Sequence, residues 1–130
     1  VPMKTSDEAN AMRWLAYQFV YEAAGGVLHL GRALPRAWFA ERDGMAAEGI
    51  ATRYGTVGVA YRPEGDALIA EVTLSLRAQP ERTLVRFRHP AAQPIRAVTV
   101  NGAAHHAFDA VRGDVDISGM AGTVRVAARY

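Results

Sequence analysis

The spacing of hydrophobic residues changes at Gly25-Gly26, and no other feature of the sequence limits the fold so strongly. Up to the glycine pair, apolar residues recur every three or four positions, as on one face of an amphipathic helix. Beyond it, apolar and polar residues alternate, most clearly over residues 68–76, as in a half-buried β-strand. The sequence therefore predicts a mainly β protein, an antiparallel β-sandwich preceded by one N-terminal amphipathic α-helix.

The predicted helix begins at a capping box and ends at the glycine pair. Thr5 and Glu8 have the spacing in which each side chain accepts a hydrogen bond from the other residue's backbone N–H. Gly25-Gly26 ends the helix, because glycine readily adopts the left-handed conformation that follows a last helical turn. We assign residues 1–26 to this helix, as a linker or the end of a preceding helical domain. On the sandwich or on a missing partner, we expect it to bury Met12, Leu15, Phe19 and Val20.

Residues 27–130 are assigned to the sandwich, with about seven to nine strands. Asn101-Gly102 is the clearest hairpin signal, because a type I′ turn needs positive φ at both central residues. Val27-Leu28-His29-Leu30 has the pattern of a further strand. Alternation groups other core positions as Val57 with Val59 and Tyr61, Val85 with Phe87, Val98 with Val100, Val115 with Ile117, and Val124 with Val126 and Ala128.

Length and composition exclude several classes of protein. A chain of 130 residues forms one domain with a core, whereas a barrel enzyme needs about 200 residues or more. The absence of cysteine excludes disulfides, thiolate metal sites and a cysteine nucleophile. The net charge of +2 requires no polyanion, so we expect no nucleic-acid partner. The sequence has neither a run of about 18 apolar residues nor a signal-peptide pattern, so we expect no membrane partner and leave the compartment open.

Histidine and aspartate groups are the first candidates for a metal site. The adjacent pair His105-His106 would point to opposite faces of a strand, which prevents both rings from binding one ion. Asp114 and Asp116 share a strand face, with Asp109 just upstream, but the spacing lacks the glycine and terminal glutamate of a calcium loop. We therefore interpret both groups as solvated surface residues and expect neither a metal nor a cofactor.

The sequence selects no catalytic pair of carboxylates. Glycoside hydrolysis needs an acid and a base about 5–10 Å apart. Nothing in the sequence distinguishes two residues from the set Glu41, Asp43, Glu48, Glu64, Asp66 and Glu71. Neither a Gly-x-Ser-x-Gly elbow nor a phosphate-binding Gly-x-x-x-x-Gly-Lys loop is present. The chain alone is thus interpreted as non-catalytic.

Arginines and one tripeptide form a further group of candidates. Arg82, Arg86 and Arg88 would project from one strand face, with Arg96 on a following strand, as a stripe that suits phosphate or an acidic sugar. Without lysines or exposed aromatics beside them, a solvent-facing stripe is the favoured interpretation. Arg112-Gly113-Asp114 spells a cell-adhesion tripeptide, which we assign to a hairpin turn.

Two aromatic residues are the candidates for binding carbohydrate. Trp38 and Tyr54 offer flat apolar faces on which sugar rings can stack. Tyr61 alternates with core valines and is assigned to the core. Core packing is also the commoner role of large aromatic side chains such as Trp38 and Tyr54, so their exposure decides between the two roles.

The stretch from residue 27 to residue 130 resembles the C-terminal β-sandwich appended to the (α/α)-toroid of bacterial six-hairpin glycosidases, including α-L-rhamnosidase-like enzymes. The resemblance rests on Leu28-His29-Leu30 with residues 34–39, on residues 49–59 with their Tyr-Gly step, and on residues 86–90, 94–102, 108–109 and 128–130. In such enzymes the acid and base lie in the helical toroid, so the resemblance assigns no catalytic residue to this chain.

The resemblance implies a non-catalytic accessory or scaffold module of a carbohydrate-active enzyme, a glycoside hydrolase. Its partner would be a catalytic helical-toroid domain or subunit, and it would also help to hold glycan. Two alternatives remain open at this point. One is an independent carbohydrate-binding module that uses Trp38 or Tyr54, and the other is an interaction subunit that docks through its N-terminal helix.

Overall fold

The computed structural model describes residues 18–130 of the chain. The strands of these residues are β1 Val20–Ala23, β2 Val27–Leu30, β3 Met45–Thr52, β4 Gly55–Glu64, β5 Ala67–Leu76, β6 Arg82–Arg86, β7 Ala97–Val100, β8 Ala103–His105, β9 Phe108–Asp109, β10 Asp114–Asp116 and β11 Gly122–Arg129. A 3₁₀ helix, Arg36–Ala40, lies between β2 and β3. The number of strands exceeds the roughly seven to nine expected, because very short strands such as β8 and β9 extend the sheet edges.

The strands form two sheets that share one hydrophobic core. The five-stranded sheet has the order β1-β2-β6-β10-β9, and the six-stranded sheet has the order β3-β4-β5-β11-β7-β8. Side chains from both sheets are fully buried in one cluster, including Leu28 and Val85 from the first and Val72 and Val126 from the second. Two sheets over one core are typical of a β-sandwich. The prediction of a mainly β protein is confirmed.

One strand pair departs from the antiparallel arrangement expected. β2 and β6 pair in parallel, with Leu28 opposite Thr83 and His29 opposite Leu84. Parallel neighbours need a crossover connection. Here the chain leaves β2, forms β3, β4 and β5 in the six-stranded sheet, and returns as β6 beside β2. The other strand pairs of the described residues are antiparallel.

The expected N-terminal helix is wrong for Val20–Ala23, which form β1. This strand pairs antiparallel with β2, and Phe19 and Val20 are only 3% and 6% exposed in the sandwich core. Strand pairing and core burial thus override the helical spacing of these residues. In the rest of the predicted helix, Gln18 and Phe19 are helical and residues 24–26 form a turn. Residues 1–17, including Met12 and Leu15, lie outside the described residues. The division at residue 26 and docking through a helix therefore stay predictions for that part of the chain.

Alternation and turn chemistry were reliable guides to local structure. On the predicted inner face of β5, the residues from Leu68 to Leu74 are buried, while Glu71 on the opposite face is exposed. β7 and β8 form the predicted hairpin, in which Asn101 and Gly102 have φ angles of 50° and 85°. Both angles are positive, as a type I′ turn requires.

Tyr61 connects the two sheets inside the core. Its hydroxyl lies 2.8 Å from the carbonyl oxygen of Arg86 and 3.2 Å from that of Leu30, both in the five-stranded sheet, while Tyr61 itself lies in β4. Its ring meets Phe39 and Phe87 edge-on, with centroids 5.0 Å and 5.6 Å away. Complete burial raises the pKa of the Tyr61 hydroxyl far above its ordinary value.

Candidate functional site

The two candidate sugar-stacking residues lie in separate places. Trp38 is half-buried on the 3₁₀ helix, where it contacts the core beside Tyr61 and Pro63 near the end of β4. Tyr54 precedes the start of β4 and is only 8% exposed. At about 3.3 Å per residue, the strand separates Tyr54 from Tyr61 by roughly 20 Å. The structure therefore does not bring Trp38 and Tyr54 together, and only Trp38 leaves part of its ring in solvent.

Three of the candidate carboxylates belong to an ionic network on the outer face of the six-stranded sheet. Arg125 lies 3.1 Å from Glu64 and 3.3 Å from Glu71, and Arg129 lies 3.4 Å from Asp66. All of these groups are about half exposed, so each pair contributes about 0–1 kcal/mol. The remaining carboxylates of the set, Glu41, Asp43 and Glu48, are exposed between the 3₁₀ helix and β3 or on β3.

The predicted arginine stripe and the predicted aspartate group meet on the outer face of the five-stranded sheet. Arg86 donates two hydrogen bonds to Asp114, its antiparallel neighbour, at 2.8 Å and 3.0 Å. Arg82 makes a single, longer contact of 3.5 Å with Asp116, whose cross-strand neighbour is Leu84. The stripe does not extend to Arg88, which instead donates to the carbonyl oxygen of Leu34. The two candidate groups therefore neutralise each other.

Asp116 is held in place by its neighbours. Ser118 donates both its backbone N–H, at 2.9 Å, and its hydroxyl to the carboxylate. Partial burial acts to raise the pKa of Asp116, but the hydrogen bonds from Ser118 and the charge of Arg82 outweigh burial and lower it. The Asp114 hydrogen bond likewise raises the pKa of Arg86. These groups are thus fixed in their charged forms at neutral pH.

The remaining sequence candidates have structural partners. His105 places its Nε2 atom 2.7 Å from the backbone oxygen of Asp116, whereas His106 is exposed. Arg112-Gly113-Asp114 forms the turn between β9 and β10, with a φ of 80° at Gly113, as the hairpin assignment predicts. Residues 18–130 contain no group of three histidine or acidic side chains able to hold a metal ion. No helix in this described part is long and apolar enough to cross a membrane.

Sequence reasoning missed a groove over the outer face of the five-stranded sheet. Its open volume is about 720 Å³. We call it the outer groove; the β9–β10 hairpin forms one wall, and its floor consists of Val27, His29, Arg82, Leu84, Asp114 and Asp116. The floor depends on the parallel pairing that sets His29 beside Leu84. His29 and Leu84 are remote in sequence, so the sequence does not reveal that they adjoin. The arginines and aspartates were the signal of this site that the sequence offered.

Comparison with known proteins finds a fold similarity to part of a solved structure. No protein-family model and no curated protein matches the chain. A solved structure described as a glycoside hydrolase is similar, with a TM-score of 0.50 and 9% sequence identity over 79% of this chain. The matched part is 16% of that hydrolase chain. At such low identity the likeness is one of fold, so the described residues share their fold with a small part of a glycoside hydrolase.

Proposed function

We propose that this protein is a non-catalytic accessory module of a carbohydrate-active enzyme, joined to or assembled with a catalytic helical-toroid domain. The observation that carries the proposal is the fold similarity to a glycoside hydrolase chain, which covers 79% of this chain but 16% of the hydrolase. A module of that size beside a much larger remainder is the relation expected of an accessory domain. The resemblance to the C-terminal sandwich of α-L-rhamnosidase-like enzymes supports the same role.

The ion pairs of the described residues support the non-catalytic part of the proposal. A glycosidase needs one carboxyl group that stays protonated near neutral pH, which requires a raised pKa. Asp116 has a lowered pKa, and Asp114 accepts two hydrogen bonds from Arg86. Glu64 and Glu71 both lie beside Arg125. The lowered pKa of Asp116 favours its ionised form, which opposes a role as proton donor.

Hydrolysis assays test this proposal directly. We expect the purified chain to release no nitrophenol from a panel of nitrophenyl α- and β-glycosides above the buffer rate. Hydrolysis that disappears on changing one carboxylate, such as Glu71→Gln or Asp43→Asn, would contradict the proposal. The reading frame upstream of Val1 provides a second test, since the proposal expects helical-hairpin periodicity there or in a co-encoded subunit.

A carbohydrate-binding module is the second candidate, and the partial exposure of Trp38 favours it. The indole packs against the core on one side, so it is held rigidly, which lowers the entropic cost of stacking a sugar. On a glycan array we expect binding that Trp38→Ala abolishes and Trp38→Phe retains in part. Binding that is equal in the wild type and in a folded Trp38→Ala variant would exclude this site. Tyr54 is too deeply buried to serve as a second platform without rearrangement.

A further inference from the structure

The outer groove has the size of a ligand site. Its open volume of about 720 Å³ lies within the range of roughly 300–1,000 Å³ typical of small-molecule sites. Leu84 and Asp114 belong to the solvent side of the sheet, yet they are only 6% and 7% exposed. The floor of the outer groove is thus recessed at Leu84 and Asp114.

The charges that line the groove balance one another. Arg82 and Arg112 line it together with Asp109, Asp114 and Asp116. Arg86 lies outside the lining, but its ion pair with Asp114 offsets the third negative charge. Burial and the positive charge of Arg32 lower the pKa of His29, which is therefore neutral at neutral pH. An anion would meet the aspartates and a cation the arginines, each at a desolvation cost. The groove consequently suits a ligand that is uncharged and polar.

Donors and acceptors in the groove are already positioned. Ser118 orients Asp116, and Asp109 accepts hydrogen bonds from the backbone N–H groups of Val111 and Arg112 at 3.1 Å and 2.9 Å. The side chains of Arg82 and Arg112 are 56% and 67% exposed, and each guanidinium group carries five N–H donors. The arginines offer planar donors and the aspartates planar acceptors. Such a set matches a ligand with neighbouring hydroxyl groups, because each hydroxyl both donates and accepts a hydrogen bond.

Apolar groups complete the surface. Val27 and Leu84 lie on the floor. Such groups pack against C–H faces, which a sugar ring presents between its hydroxyls. We propose that the outer groove binds one or two neutral sugar units of a glycan; this inference rests on the proposed function, which places the protein beside a carbohydrate-active enzyme.

Titration with single sugars tests the groove. The ¹⁵N-labelled chain is titrated with the methyl pyranosides of glucose, galactose, mannose, xylose and rhamnose, each up to about 50 mM because small ligands bind weakly. We expect at least one glycoside to shift the backbone amide signals of β2, β6 and β10 in a saturable manner. Absence of saturable shifts in these strands for all five sugars would overturn the proposal. Shifts confined to the surroundings of Trp38 would also overturn it and favour the second candidate function.

Matched variants separate direct contact from altered folding. Asp116→Asn and Arg82→Gln should each weaken binding about fivefold or more, as expected for one or two lost hydrogen bonds. Glu71→Gln and Arg125→Gln change the same chemical groups on the other sheet and should alter the dissociation constant less than about twofold. Equal weakening by both sets contradicts direct binding. Two groove variants are used so that one remains informative if the other fails to fold.

Failure of the proposed function is distinguishable from failure of the groove proposal. It would appear as glycoside hydrolysis by the chain, which this titration does not measure.

Discussion

At the scale of single residues, the hydroxyl of Tyr61 is a polar group that links the two sheets by hydrogen bonding. It lies at hydrogen-bond distance from the carbonyl oxygens of Arg86 and Leu30. Gly31 directly follows Leu30 in the chain and has a φ of 77°. A side chain at Gly31 would overlap the Tyr61 hydroxyl. The close approach of the β2 end to Tyr61 therefore requires glycine.

Tyr61→Phe should lower the free energy of unfolding by about 1–2 kcal/mol, because the buried carbonyl oxygens lose their donor. Urea denaturation followed by tryptophan fluorescence measures the change. Tyr54→Phe is the matched control, since Tyr54 is also buried but its hydroxyl has no described partner, and it should change stability by less than about 0.5 kcal/mol. Similar losses in the two variants would show that the Tyr61 hydroxyl does not contribute specifically.

At the scale of elements, the pairing of β6 with β10 is reinforced by the hydrogen bonds between Arg86 and Asp114. The side chains are only 18% and 9% exposed, whereas Arg125 and Glu71 across β11 and β5 are 44% and 50% exposed. Removing one partner of a mostly buried pair leaves an unpaired charge in a poorly solvated place. Removing one partner of an exposed pair leaves a charge that water solvates.

Asp114→Ala should therefore destabilise the fold by about 3 kcal/mol, and Glu71→Ala by less than about 1 kcal/mol. Urea denaturation of both variants provides the comparison. A double variant, Asp114→Leu with Arg86→Met, should recover much of the loss, because no unpaired charge remains. If Asp114→Ala and Glu71→Ala were equally stable, the recessed pair would be no more important than the exposed one.

At the scale of the whole molecule, the buried hydroxyl groups of Tyr61 and Tyr130 make stability sensitive to alkali. Burial raises the pKa of both Tyr61 and Tyr130 above the ordinary value of 10.0. Because the pKa is raised in the folded state, the contribution of the protonated tyrosine hydroxyl groups to the free energy of unfolding is fully present below pH 10. That contribution is lost as the pH rises above 10. Unfolding in alkali then releases protons that the folded protein retains.

The urea midpoint should accordingly fall above pH 10, with Tyr61 contributing up to about 1.4 kcal/mol per pH unit. In Tyr61→Phe this dependence should be visibly shallower, and the part due to Tyr130 should remain. Denaturation series from pH 8 to about pH 11.5 measure the slope. An identical slope in the wild type and the variant would contradict the burial of Tyr61 as its cause.

The local elements were predictable because their causes are local. Alternation in β5 puts Leu68 and Leu74 on one face by the geometry of the strand, and Asn101-Gly102 favours positive φ whatever surrounds it. The helical spacing around Val20 failed, because a strand partner in β2 supplied backbone hydrogen bonds and burial that outweighed local preference.

The candidate site was predictable only in its parts. Trp38, Tyr54, Arg82, Asp114 and Asp116 all stood out in the sequence as residue types. Their exposure and their partners depend on contacts between distant segments, which spacing does not reveal.

The mainly β character of the protein, the faces of its long strands and its clearest hairpin follow from the sequence, since steric periodicity and turn chemistry act within a few residues. Contacts between strands are needed to set β2 parallel to β6, to add Val20–Ala23 to the five-stranded sheet, and to bring arginines and aspartates to one groove. The parallel pairing joins segments more than fifty positions apart, as between β2 at Leu28 and β6 at Thr83, and such pairing is selected by the burial of the whole core.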